Sequence, residues 1–167
     1  MLKRIETNEL KINPFELIGK EWMLLTAGNQ KAHNTMTVSW GGIGVLWQKN
    51  VVYAFVRPQR YTMEFLEKED YFSLATFPKE YKPALKLCGA KSGRELNKDK
   101  ATGLTVSFEE PAPYYKESNL VFICKKLYKQ RLNPDCFLAK SIEADFYPQK
   151  DHHYLFVGEI VTTLKRD

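Results

Sequence analysis

Apolar and polar residues alternate along much of this chain, a pattern that predicts β-strands rather than long helices. The clearest case runs from Asn34 to Trp40, where Met36, Val38 and Trp40 alternate with three hydroxyl-bearing residues, Thr35, Thr37 and Ser39. A strand with this period buries one face and turns a row of hydroxyl groups to the other. The other runs with strand composition are Glu21–Ala27, Asn50–Val56, Tyr71–Phe77, Thr105–Glu109, Leu120–Gln130 and Tyr154–Leu164.

Short helical patterns separate some of these strands. Arg57-Pro58 ends one strand because proline cannot continue the ladder of hydrogen bonds. Beyond it the period lengthens and places Phe65 and Leu66 on the apolar side of a short amphipathic helix. Thr62 is the expected N-cap of this helix, since its hydroxyl can accept a hydrogen bond from an orphan amide. Further short helices are predicted at Glu80–Leu87 and Asn97–Thr102, whereas Phe137–Phe146 fits a helix or a loop.

Glycines lie where the strand pattern is interrupted. The glycine run at positions 41–44 follows Trp40 and is expected at a bend, a bulge or a close approach of two backbones. Gly158 interrupts the last strand, where a β-bulge would let the apolar face change sides. Trp47, just beyond the glycine run, is interpreted as a core aromatic residue.

These elements amount to six or seven strands and a few short helices, which we expect to form a single domain over residues 1–167. No internal repeat, low-complexity tract or linker divides the chain. A β-barrel is favoured over a sandwich because nothing resembles the cysteine and tryptophan framework of an immunoglobulin fold.

The composition, with 44% hydrophobic and 27% charged residues, is typical of a globular protein that dissolves in water. No segment approaches the roughly 18 uninterrupted apolar residues of a membrane helix, and the first ten residues carry charges where a signal peptide is apolar. We therefore expect a cytoplasmic protein with no membrane partner. The net charge of +5 is spread along the chain without a basic tail, so nucleic-acid binding is not indicated.

Common catalytic and metal-binding motifs are missing. Cys88, Cys124 and Cys136 form no CxxC pair and are expected to be reduced and mostly buried. The chain lacks a Gly-x-Ser-x-Gly motif, and His152-His153 would point to opposite faces of a strand, which disfavours a shared metal. With His33 in a polar turn, all three histidines are assigned surface or structural roles. We expect no catalytic side chain and no metal site.

Donor groups form a candidate anion site where a strand gives way to the first amphipathic helix: Arg57, Gln59, Arg60 and Thr62. A helix N-terminus adds amide donors and a favourable dipole, and arginine can hold phosphate with two parallel hydrogen bonds. The same arginines could equally cap the helix or pair at the surface. Trp40 could pack on a planar ligand or belong to the core. The glycine run lacks the strand, turn and helix context of Walker or Rossmann sites, so a dinucleotide domain is not supported.

Several blocks of sequence, in order over nearly the whole chain, carry a family resemblance: Asn34-x-Met36-Thr37-Val38-Ser39-Trp40-Gly41, Val56-Arg57-Pro58-x-Arg60-Tyr61-Thr62, Leu85–Gly89 with Lys91-Ser92-Gly93-Arg94, Thr102-Gly103-Leu104, and Tyr154–Ile160 with Gly158-Glu159-Ile160. Together they resemble the flavin reductase-like, FMN-binding split-barrel proteins, especially the flavoredoxin branch. Several blocks at compatible spacing are far more specific than any one of them.

The resemblance implies a mainly β fold, an FMN-binding split β-barrel of Greek-key topology with a few short helices. It also implies a homodimer with one FMN per subunit near the dimer interface. Along the isoalloxazine ring and ribityl chain it places Asn34, Met36, Thr37, Ser39 and Trp40. At the ribityl phosphate it places Arg57, Arg60, Tyr61 and Thr62. A third segment would contact the phosphate or the ring: Lys91, Ser92, Gly93 and Arg94.

Three functions are compatible with this resemblance. The first is an oxidoreductase that passes electrons from NAD(P)H through bound flavin to a flavin or a protein acceptor, and the breadth of the family favours it. The second is an electron-transfer protein of flavoredoxin type that does not use NAD(P)H directly. The third is a flavin- or haem-binding module without turnover. The basic surface would suit an acidic redox partner protein.

Overall fold

The computed structural model describes residues 1–167 and contains ten strands: β1 Leu2–Ile5, β2 Met23–Gly28, β3 His33–Val38, β4 Gly41–Leu46, β5 Lys49–Val56, β6 Tyr71–Thr76, β7 Val106–Ser107, β8 Tyr114–Tyr115, β9 Leu120–Arg131 and β10 Tyr154–Arg166. Eight of them form one sheet in the order β3-β2-β6-β9-β10-β5-β4, with β1 paired to the end of β10. All pairings are antiparallel. β7 and β8 form a separate hairpin. The expectation of a mainly β protein is confirmed.

Five short α-helices connect the strands: α1 Pro14–Glu16, α2 Thr62–Lys68, α3 Lys82–Ala90, α4 Lys98–Thr102 and α5 Lys140–Phe146. Single helical turns of other types cover Thr7–Glu9, Leu17–Glu21, Lys79–Tyr81 and Pro134–Cys136. Both ends of α4 are capped: the Asn97 side chain accepts a hydrogen bond from the Lys100 amide, and Gly103 adopts a φ of 71°. Glycine adopts this left-handed conformation without strain. The predicted helix at Asn97–Thr102 is therefore confirmed.

The two outermost strands of the sheet are consecutive in the chain. β3 and β4 lie at opposite ends of the strand order, yet only Ser39 and Trp40 separate them. Two residues span less than about 11 Å even when fully extended. The sheet must therefore curl until its edges approach each other, and the result is a barrel with an open seam.

Alternation along the strands divides the apolar side chains between two cores. On β9, Phe122 and Cys124 belong to one core, and Val121 and Ile123 belong to the other. The first core fills the barrel and includes Met23, Leu25, Met36, Val38, Val52, Ala54, Val56, Phe72, Leu74 and Phe156. The second lies on the outer face, under α3 and the β7–β8 hairpin, and includes Leu24, Leu85, Cys88, Leu104 and Tyr115.

The pairing of β10 with β9 is irregular at Gly158, but the extra residue is Leu127 on β9, because Val157 pairs with Tyr128 and Gly158 pairs with Lys126. The bulge of β10 itself lies at Val161, between Ile160 and Thr162, so the predicted position at Gly158 is wrong. A Cβ at Gly158 would lie 2.7 Å from Cζ of Phe72 and 2.9 Å from Cβ of Cys124, both in fully buried side chains. Only glycine fits at this position without displacing a buried side chain.

The glycine run begins β4, and the expected close approach of two backbones is found at Gly41, where an added Cβ would lie 2.5 Å from the carbonyl oxygen of Tyr53. Two other local expectations are wrong. Trp47 is not a core residue: it is 55% exposed at the β4–β5 hairpin, where Trp47 and Gln48 both have positive φ. Thr62 is not an N-cap, because it lies in the first turn of α2 and its Oγ1 accepts a hydrogen bond from Asn34.

The remaining differences concern the extent of the elements. The strand count of six or seven is too low because β1, β4 and β8 have no recognised signal of their own. The predicted strand Thr105–Glu109 shortens to β7. The ambiguous segment Phe137–Phe146 resolves into α5 preceded by irregular chain.

None of the helices is long and apolar enough to cross a membrane.

The crowding at Gly158 gives a test of the barrel packing. We expect Gly158→Ala to lower the free energy of unfolding by about 1–3 kcal/mol, because the added methyl group has no space between two buried side chains. Gly19→Ala is the matched control, since no atom lies within 4 Å of its added Cβ. Urea denaturation at pH 7 measures both variants. Equal stabilities for the two would contradict the close packing of β10 against Phe72.

Candidate functional site

A groove runs along the unpaired edge of β3 at the seam of the barrel. Two adjoining cavities of about 340 and 180 Å³ make up its length, and both are lined by Met36, Arg57 and Arg60. The walls come from β3, from the connection between β5 and α2, and from the loop between α3 and α4. The larger cavity is within the usual range for small-ligand sites, about 300–1,000 Å³.

All the residues predicted to contact a cofactor line this groove or its continuation. The larger cavity is lined by Asn34, Met36, Arg57, Arg60, Tyr61, Thr62, Lys91, Ser92 and Gly93. The smaller cavity is lined by Met36, Thr37, Ser39, Trp40, Arg57 and Arg60. Arg94 lines a further cavity of about 360 Å³ that also contacts Asn34, Tyr61 and Gly93. The structure thus brings three separate sequence blocks to one place, and their contacts with a cofactor stay predictions.

These blocks meet in direct contact at Asn34. Its Nδ2 donates a hydrogen bond to Thr62 Oγ1 at 2.7 Å. A Cβ at Gly93 would lie only 2.0 Å from Asn34 Oδ1 and 3.0 Å from Cδ1 of Tyr61. The loop after α3 can approach β3 this closely only because position 93 has no side chain.

A second contact fixes α3 against β3. Thr37 Oγ1 donates to the carbonyl oxygen of Leu85 at 2.5 Å, and a Cβ at Gly89 would lie 3.3 Å from Cβ of Thr37. Arg60 Nη1 donates to the carbonyl oxygen of Gly89 at 2.7 Å. The floor and the wall of the groove are therefore held together by hydrogen bonds between the predicted blocks.

Arg57 is already paired within the protein. Its Nη1 donates to Asp151 Oδ2 at 2.5 Å, and its Nη2 donates to the carbonyl oxygen of Phe146 at 2.9 Å. Gln59 also donates to Asp151, and the two hydrogen bonds from Gln59 and Arg57 hold the pKa of that carboxyl below its usual value. The positive charge of Arg57 is thus balanced before any ligand binds.

Arg94 is paired as well. Its guanidinium forms an ion pair with Glu64 and lies over the ring of Tyr61, 4.6 Å from the centroid. Of the predicted arginines, only Arg60 lacks a carboxylate partner.

Uncompensated positive charge is concentrated in the larger cavity. Arg60, Lys91 and Lys98 line it together with one carboxylate, Glu95, and none of the three cations forms an ion pair. Burial lowers the pKa of Arg60, and the neighbouring charge of Arg57 lowers it further. Burial likewise lowers the pKa of Lys98, whose Nζ donates to the carbonyl oxygens of Thr35 and Cys88 at 2.7 and 2.8 Å. An anion bound here would meet three cations that are not held in ion pairs, so the cavity carries a net positive charge.

Lys98 is a site residue that has no signal in the sequence. It begins α4 and is only 6% exposed, although it carries a charge. Nothing in the local sequence distinguishes it from the other basic residues.

The other end of the groove is aromatic. Trp40 is 44% exposed, and the ring of Phe146 meets it edge to face at a centroid distance of 5.4 Å. His153 lies 5.2 Å from Trp40, is 8% exposed, and its Nδ1 is 2.8 Å from the hydroxyl of Tyr147. Burial, assisted by the charge of Arg57, lowers the pKa of His153 to about 4. This end is therefore flat, apolar and without a charged histidine at neutral pH.

The histidines and cysteines hold structural positions. His33 and Tyr115 both hydrogen bond to Asp99; burial pushes the pKa of this carboxyl up, but the two hydrogen bonds outweigh it and lower the pKa. Cys88 and Cys124 are buried thiols, whereas Cys136 is exposed. No group of three or more side chains is arranged to hold a metal ion.

Comparison with known proteins gives a family and a fold. Residues 16–167 match the sequence profile described as the flavin reductase like domain. The crystal structure of flavoredoxin from Methanosarcina acetivorans superposes with a TM-score of 0.69 at 22% identity, over 95% of this chain and 76% of that one. Flavoredoxin of Desulfovibrio vulgaris (Miyazaki F) gives a TM-score of 0.66 at 21% identity, over 87% and 69%. Comparison with curated proteins gives no match.

A third similar structure is the FMN-binding protein of Thermus thermophilus with bound 1-cyclohex-2-enone, at a TM-score of 0.66 and 20% identity over 85% of this chain and 68% of that one. At these identities the likeness concerns the fold alone, and the predicted split-barrel fold is confirmed.

The lowered pKa of His153 predicts a pH dependence of stability. The folded protein favours the neutral imidazole of His153. The contribution of this group to the free energy of unfolding is therefore fully present above its ordinary pKa near 6.5 and is lost as the pH falls towards 4. One such group contributes a slope of at most about 1.4 kcal/mol per pH unit. His153→Asn keeps an amide near the Tyr147 hydroxyl but cannot titrate. Urea denaturation between pH 7 and pH 4.5 should show a shallower decline for this variant, and an unchanged slope would contradict the assignment.

Proposed function

The chain belongs to the flavin reductase like domain family, and we propose that it is an FMN-binding oxidoreductase that passes electrons from NAD(P)H through bound flavin to a flavin or protein acceptor. The observation that carries this proposal is the polarity of the groove. Cations that form no ion pair lie at one end, with Lys98 buried and Arg60 partly buried, and an exposed tryptophan lies at the other. A molecule with a phosphate at one end and a flat ring at the other fits this order.

The residues present fit FMN in type and in order. Arg60, Lys98 and Lys91 would neutralise the phosphate. Thr37 on β3 and Ser39 just after it line the middle of the groove, where the Ser39 hydroxyl can donate or accept and the Thr37 hydroxyl, whose proton goes to Leu85, can accept. Trp40 would lie against the ring, and Gly93 leaves room for a close approach of the loop.

Bound flavin supplies the hydride and electron transfer chemistry itself. The part left to the chain is to bind and orient the cofactor and to set the charge around it. His153 is neutral and hydrogen bonded to Tyr147, so we assign it no proton-transfer role.

An electron-transfer protein that does not use NAD(P)H directly is the second candidate. It is favoured by the exposure of Trp40 at the ring end, which leaves that end open to a protein partner. Assembly as a homodimer also stays a prediction.

Removal of Arg60, the cation proposed to bind the phosphate, should lower the affinity for FMN but not for riboflavin. We expect Arg60→Met to weaken FMN binding about 10- to 100-fold, the effect of one charge-assisted contact of about 1.5–3 kcal/mol. Riboflavin has no phosphate, so its affinity should change little. Titration of the apoprotein by flavin fluorescence measures both. Arg4→Met, which removes an arginine paired with Glu110 outside the groove, is the control.

Arg57→Ala should behave differently from Arg60→Met. Arg57 fixes the segment around Phe146 and Asp151, so its loss should weaken FMN and riboflavin to a similar degree. If Arg60→Met lowers the affinities for FMN and riboflavin equally, or leaves the FMN affinity unchanged, Arg60 does not bind the phosphate.

The electron donor is tested with the flavin-loaded protein under anaerobic conditions. We expect NADH or NADPH to bleach the visible absorbance of the bound flavin in a stopped-flow experiment. If neither nicotinamide bleaches it while dithionite does so reversibly, the reductase function is wrong and the electron-transfer protein is favoured.

A further inference from the structure

An apolar cavity of about 420 Å³ opens beside the ring end of the groove. Its seven lining residues are all apolar or aromatic: Trp40, Phe55, Leu132, Phe137, Ile142, Phe146 and Tyr147. Trp40 and Phe55 also line the smaller cavity of the groove, so the two spaces are neighbours. The cavity has no part in the phosphate site or in the floor of the groove.

Most of the cavity wall comes from the segment between β9 and β10, residues 132–153, and this segment is held in place by polar contacts. Arg57 bonds to Phe146 and Asp151 within it. The Leu132 amide donates to the carbonyl oxygen of His153 at 2.9 Å. The ring of Tyr147 stacks on His152 at a centroid distance of 4.7 Å and an angle of 21°. The cavity is therefore preformed, which lowers the entropic cost of binding a ligand.

The cavity is open to solvent although its walls are apolar. Ile142 and Phe146 are each 46% exposed, and Trp40 is 44% exposed. Exposed apolar side chains gathered in one concave surface are typical of ligand sites.

The chemistry of the walls limits what can bind. A charged ligand would lose its hydration without gaining a partner, which is costly. Arg57, whose guanidinium lies 5.1 Å from the ring centroid of Tyr147, is already balanced by Asp151, and His153 is neutral at pH 7 because burial holds its pKa at about 4. The aromatic walls favour a flat occupant, since offset and edge-to-face ring contacts stabilise it beyond the area buried.

We propose that this cavity binds an uncharged, planar aromatic or quinone-type small molecule of one or two rings. Binding itself requires only the cavity. Its place next to the ring end of the groove makes it the position of a small-molecule electron acceptor, and that part rests on the proposed function.

Menadione, an uncharged two-ring quinone, is the probe, and quenching of tryptophan fluorescence reports its binding because Trp40 lines the cavity. We expect saturable binding to the wild-type protein. Ile142→Glu should weaken it at least tenfold by placing a carboxylate on the apolar wall. Val161→Glu is the matched control, since Val161 is 43% exposed on β10 and lies outside the cavity. The charged analogue 1,4-naphthoquinone-2-sulfonate should bind at least tenfold more weakly than menadione.

The same variants separate the two proposals. FMN affinity should be unchanged in Ile142→Glu. If the wild-type protein binds menadione but does not bind FMN, the proposed function is wrong and the ligand site still holds. Absence of saturable menadione binding, or equal binding to wild type and Ile142→Glu, would overturn the ligand site. If menadione does not bind and sedimentation shows that Ile142→Glu dissociates a dimer, the cavity is a subunit interface.

Discussion

The short connection between β3 and β4 is the constraint on which the rest of the structure depends. These strands are the two edges of the sheet, and only Ser39 and Trp40 join them. The sheet has to curl, but β3 pairs with β2 on one side and with no strand on the other. The free side of β3 is covered instead by α2 and α3, which leave a groove between them and the strand. Trp40 lies at the seam, so the turn that closes the barrel also supplies the aromatic end of the groove.

Electrostatics give this groove its direction. A buried cation without a counter-charge destabilises a folded chain, because the charge loses hydration and gains nothing. The chain avoids this cost at Arg57 and Arg94 by pairing them with Asp151 and Glu64. It accepts the cost at Arg60 and Lys98, which donate only to backbone carbonyl oxygens. Both lie in one cavity, so the cost is concentrated where a bound anion would relieve it.

The sequence predicts what depends on local pattern. The period of two along β3 is visible because large apolar side chains alternate with small polar ones. The two ends of α4 are visible at its N-cap, Asn97, and at its C-cap, Gly103. β4 is not visible, since glycines carry no side chain that could show a period. Lys98 cannot be distinguished among 25 basic residues until the fold buries it beneath β3. The pairing of Arg57 with Asp151 joins positions 94 residues apart, and no local pattern carries such information.

The segment between β9 and β10 links the two halves of the site through one residue. Arg57 fixes this segment by bonding to Phe146 and Asp151, and the fixed segment forms the wall of the apolar cavity. The same bonds remove one positive charge from the groove. Because the carboxylate of Asp151 balances Arg57 close to the ring end, the free cations are left at the opposite end. A single ion pair thus separates an apolar, uncharged region beside Trp40 from a cationic region beside Arg60. Two ligands of different chemistry can then occupy neighbouring cavities, each in the one whose charge suits it.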